Sequence, residues 1–125
     1  MNSIFNHVLK FTIVCMLFAT PSSGVRADAA SAYEKGSALV QEANYDVDWA
    51  RKYFKEAMSR SPDNGRQHYL NASKLWLRRC DVNLSQALDY VQRLRAHGNV
   101  GLARSLLQKV RAIQAESASV HRHLS

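Results

Sequence analysis

Apolar residues in this chain recur three and four positions apart, and no stretch alternates apolar with polar residues between turn dipeptides. The first pattern is the period of a helix with one buried face; the second is what a half-buried strand would need. The chain is therefore expected to be all-α. Its 125 residues hold one small domain at most. Apolar residues make up 46% and charged residues 22%, enough to build a core and inconsistent with wholesale disorder.

The first 27 residues read as an export signal rather than as part of the fold. Lys10, His7 and the amino terminus make a weakly basic start, and an apolar run of nine residues follows from Phe11 to Ala19. Pro21 and Gly24 break that run. Val25, Arg26 and Ala27 place small residues where a signal peptidase needs them, so cleavage is expected after Ala27, with Ala29 as a second choice. A membrane-spanning helix needs about 20 apolar residues, and this run is less than half that. Val14 before Cys15 argues against a lipoprotein signal. The product is expected to be periplasmic or secreted, with membrane contact only through the signal. From Asp28 onward the charge is +5. Cys80 is then the lone cysteine, either buried as a small apolar group or paired with another chain.

Five helices are expected beyond residue 28. Ser31 and Glu34 fit a capping box, with Ala32, Gly36, Leu39, Val40 and Ala43 behind them. Asp46 suits the cap of a second helix, with Val47, Ala50, Phe54 and Ala57 on one stripe. Ser61 to Gly65 is a dense turn signal. A third helix is expected from about 66 to 79, and a fourth is capped by Asn83. His97 and Gly98 suit a helix stop. A fifth helix is expected from about 100 to 115, within a helical domain at 28–116, and 117–125 is expected to be a flexible tail. Short turns between helices predict antiparallel hairpins.

An offset of 37 residues aligns Asp46 with Asn83, Ala50 with Ala87, Tyr53 with Tyr90, Phe54 with Val91 and Ala57 with Leu94. A two-helix unit repeated at that period marks an α-solenoid. The pattern of Asp46, Ala50, Tyr53, Phe54 and Ala57, then Gly65, Tyr69 and Ala72, resembles a Sel-one-like repeat, a close relative of the tetratricopeptide repeat. The resemblance covers residues 31–111. It implies a short α-solenoid of about two and a half repeats that scaffolds or regulates other envelope proteins.

No residues form a convincing catalytic or metal constellation. His121 and His123 supply only two ligands, whereas structural zinc takes four. Arg78 and Arg79 beside Cys80 could activate its thiol, but no histidine is placed near it. Gly98 to Gly101 lacks the lysine and preceding strand of a phosphate loop. Asp46 and Asp48 fall at an expected helix start, where acids cap and complement the dipole. Asn71 and Asn83 open formal glycosylation sequons, and both have structural readings. Trp76 is expected in the core. Trp49 is either half-buried or an exposed partner anchor.

The charge is uneven. Residues 90–125 carry six basic side chains and only Glu116 as an acid. A positive field of this kind steers acidic proteins or anionic polymers. The secretion signal, and the lack of aromatic residues between the C-terminal arginines, argue against nucleic acid. The sequence thus predicts a non-catalytic exported adaptor or regulator, with no cofactor and no metal. It would bind another envelope protein through a groove edged by Lys74, Arg78, Arg104 and Arg111. The alternative is a binder of anionic polysaccharide or lipid through the basic C-terminal half. Uncapped solenoid ends would favour self-association.

Overall fold

The computed structural model describes the backbone from Ser23 and the side chains from Asp28 to Ser125. The apolar run at 11–19 lies outside the described residues. Three long helices follow in order: α1 (Ser23–Met58), α2 (Arg66–Ala96) and α3 (Val100–Leu124). The chain is all-α among the described residues and is folded as antiparallel hairpins. Among the described residues there are three helices, not five, so the two expected repeats and a half become one hairpin and a half. α1 runs unbroken past Ala27, past Ser31 and past Asp46. α2 runs unbroken past Asn83.

The reason for the longer helices lies in the spacing of the buried side chains. Along α1, Ala29, Gly36, Ala43, Ala50 and Ala57 are buried at steps of seven. Val40 and Val47 are buried, and Tyr33 and Phe54 half-buried, at the intervening step of four. Along α2 the buried residues are Ser73, Leu77, Cys80, Leu84, Ala87, Val91 and Leu94. Along α3 they include Ala103, Leu106, Val110, Ser117 and Val120. This alternation of three and four is the seam of long helices packed side by side, and it never breaks at the supposed caps. Asp46 and Asn83 are instead mid-helix neighbours across the α1–α2 interface, where Asn83 Nδ2 donates to Asp46 Oδ2 at 2.8 Å. The 37-residue offset therefore matches two residues that bond to each other.

Both turns fall where the sequence places them. Gly65 and Gly98 each have φ of +80°, a conformation that a side chain would strain. After α2, the Asn99 N–H donates to the Leu94 carbonyl at 2.8 Å and the Gly98 N–H to that of Arg95 at 3.0 Å, so glycine closes the helix and satisfies its last carbonyls. After α1, the Arg66 side chain reaches back to the carbonyls of Ala57 and Arg60.

α1 and α2 are antiparallel: Ser73 Oγ donates to the Ala50 carbonyl at 2.7 Å, and Gly36 lies beside Tyr90. α3 is antiparallel to α2 and parallel to α1, with Ser117 bonded to Asp81 and Ser105 to Tyr33. All three pairs pack around one core. The expected flexible tail at 117–125 is helical instead as far as Leu124. Val120 continues the seam and is 4% exposed, and Ser117 and His121 hold Asp81 at 2.9 Å each.

Candidate functional site

The outer side of the α1–α2 seam carries a continuous band of aromatic rings. On α1, Tyr45, Trp49 and Tyr53 follow at steps of four and so project from one flank of the helix. That flank lies away from α3, which instead meets Tyr33, Arg51 and Phe54. On α2, Tyr69 and Trp76 face the α1 band. Trp49 stacks on Trp76 at 5.9 Å, and Tyr45 meets both indoles edge-on at 6.2 and 6.1 Å. Trp49 lies 5.8 Å from Tyr53, which stacks on Tyr69 at 6.1 Å.

Cations lie against these rings. Lys52 Nζ lies 4.8 Å over Trp49, and the Arg79 guanidinium 4.6 Å over Trp76. Each of the two paired indoles at the centre of the band thus carries its own cation. Arg60 covers Tyr69 at 4.6 Å, and further along the seam Arg93 covers Tyr90 at 4.9 Å. Cation–π contact restrains long basic side chains that would otherwise sweep through solvent. Tyr45 remains 57% exposed at one end of the α1 row. Trp49 and Trp76 are both half-buried, so Trp76 belongs to this surface as well as to the edge of the core.

A buried acid lies beneath the band. Asp46 is 1% exposed, and its Oδ1 makes no hydrogen bond, with Arg79 Nε 3.9 Å away. Burial raises its carboxyl above the ordinary range; the Asn83 amide and the Arg79 charge oppose that shift, and Glu42 adds to it.

The four cations expected to edge a groove do not converge. Lys74 and Arg78 are exposed on α2, and Arg104 and Arg111 are exposed on the outward stripe of α3. Because Asp81 meets Ser117 and His121, Arg78 is level with the end of α3, whereas Arg104 is level with the end of α2. The midpoints of the two pairs are thus about 25 Å apart along the bundle, at a rise of 1.5 Å per residue. Arg78 borders the α1–α2 seam.

Cys80 is fully buried on the inner stripe of α2. Burial, reinforced by Asp81 and Asp46, pushes its thiol up to about 12, so the neighbouring arginines do not activate it. His121 and His123 point to different helices: His121 meets Asp81 on α2, while His123 meets Phe54 on α1. No group of three metal-ligating side chains occurs among the described residues. Tyr33 lies between helices with its hydroxyl 3.1 Å from Ser105. Burial works to raise its pKa, but the Lys109 ammonium and the Ser105 hydroxyl lower it further. No described helix is long and apolar enough to cross a membrane. Comparison with protein-family models, with curated proteins and with solved structures finds no match to this chain.

Proposed function

We propose that this chain is an exported, non-catalytic adaptor or regulator that binds another envelope protein through the outer α1–α2 face. The observation that carries the reading is the aromatic band with its pinned cations, centred on Tyr45, Trp49, Trp76, Lys52 and Arg79. Tyr, Trp and Arg are the residue types that dominate binding energy at protein interfaces. Here they are held by mutual stacking, so little side-chain freedom is lost when a partner docks. A photo-crosslinking residue at position 45, and another at Gln108 on the outward side of α3, tests this in the native host. A defined protein adduct from position 45 and none from 108 is expected. Equal adducts from both positions, or none from 45, would defeat the reading.

A second reading rests on α3. Arg104, Arg111 and Arg122 form one exposed stripe with no acidic partner among the described residues. Such a stripe suits an anionic polysaccharide or lipid, and the contact would be screened within about 8 Å at physiological ionic strength. Arg104→Glu with Arg111→Glu would then abolish polymer binding.

A further inference from the structure

We infer that the α1–α2 seam seats an acidic amphipathic helix supplied by the partner, packing as a fourth helix on this bundle. The inference rests on the protein-binding reading above and specifies the chemistry of the occupant. Beyond the aromatic band the seam is concave. A depression of about 560 Å³ is lined by Lys35, Leu39, Glu42, Asp89, Tyr90 and Arg93. A second, of about 300 Å³, shares Glu42 with it and is bounded by Arg78, Arg79, Val82 and Asn83. Depressions and band follow one another along α2 from Arg93 to Tyr69, a face of about 36 Å at helical rise, the length of a helix of about 24 residues.

Three features select the occupant. The face is concave at both depressions, whereas a membrane surface is flat. Trp49, Trp76 and Tyr69 are already engaged with each other, with Tyr53 or with cations, which leaves them less face for stacking a sugar. The exposed charges along it are mainly Lys35, Arg93, Arg78, Arg79 and Lys52, against Glu42 and Asp89. A second copy of the same face would set these cations against each other, because a two-fold interface pairs a patch with itself. A helix with apolar residues at steps of three and four and carboxylates on its flanks meets the rings with the first and the cations with the second.

Both tryptophans of the chain lie in the band, so their emission reports occupancy. The probe is a synthetic peptide of about 24 residues with Leu at helical steps and Glu and Ala elsewhere. Its counterpart carries Lys for every Glu. Anionic vesicles of phosphatidylglycerol and phosphatidylethanolamine form a third arm. Saturable one-to-one binding of the Glu peptide is expected, with the Lys peptide at least about tenfold weaker. Lys52→Glu with Arg93→Glu should weaken the Glu peptide about tenfold, while Arg104→Glu with Arg111→Glu should leave it unchanged. These substitutions are at the surface, and circular dichroism checks that each variant is folded. Equal binding of both peptides, absence of Glu-peptide binding, or an emission change with vesicles alone would overturn the inference. If position 45 still crosslinks a protein in that case, the adaptor reading stands and only the acidic helix falls.

Discussion

Replacing Gly36 by alanine is expected to be harmful in the intact chain and helpful once Leu106 is shortened. Gly36 lies where α1 meets both other helices. A methyl group there would sit 2.5 Å from Leu106 Cδ2, 3.3 Å from its Cδ1 and 3.2 Å from Tyr90 Cβ. Leu106 is fully buried and has little room to yield. Overpacking of this kind costs about 1–3 kcal/mol. Alanine recovers about 1 kcal/mol through its helix propensity, so Gly36→Ala should lose about 0–2 kcal/mol overall. Leu106→Ala alone should lose about 2–5 kcal/mol. In that background the obstructing methyls are gone and the new methyl fills part of the void. Gly36→Ala should then gain about 1 kcal/mol, which makes the coupling between the two sites about 1–3 kcal/mol. Urea unfolding of the four proteins, followed by far-ultraviolet circular dichroism, measures the cycle. If Gly36→Ala has the same effect in both backgrounds, the close approach of α1 and α3 at this point is refuted.

Two further outcomes follow from the buried groups. Asp46 has a raised carboxyl pKa in the folded state, so the fold holds that proton more tightly than the unfolded chain does. Its contribution is complete below the ordinary carboxyl pKa and is lost as pH rises through the folded value. The stability of Asp46→Asn relative to the parent should therefore grow between about pH 4 and neutrality; a pH-independent difference in urea midpoints would contradict this. With its pKa near 12, the Cys80 thiol should resist alkylation at pH 8 until the chain unfolds. Its thiolate fraction there is on the order of one in ten thousand. Mass spectrometry of the Cys80 peptide checks this, and equal labelling with and without urea would show that the thiol is accessible.

Helix content and both turns were legible because Pro62, Gly65 and Gly98 act locally. The number of helices was not, because Asp46 and Asn83 are residue types that favour caps, and their local chemistry competed with the packing period. The run of small residues at 29, 36, 43, 50 and 57 carries the deciding signal, and it passes through 46 without a break. Val120 carries the same seam into the segment that composition alone makes look frayed. Trp49 and Trp76 stood out singly as large apolar groups. Their stacking depends on the register of α1 against α2, which residue identity does not reveal. The steps of four linking Tyr45, Trp49 and Tyr53 were readable and mark the flank that became the band. Lys74, Arg78, Arg104 and Arg111 were grouped by charge along the chain, and the antiparallel pairing of α2 with α3 separates them.

An odd number of antiparallel helices sends the chain out at the opposite pole from where it enters. With α1 and α3 parallel, Ser23 stands at one pole and Ser125 at the other, about 47 Å apart along α1 between the levels of Ser23 and Phe54. Whatever precedes residue 23 and whatever approaches the carboxyl terminus therefore meet the rod at different ends. The outer α1–α2 seam runs lengthwise between those two ends.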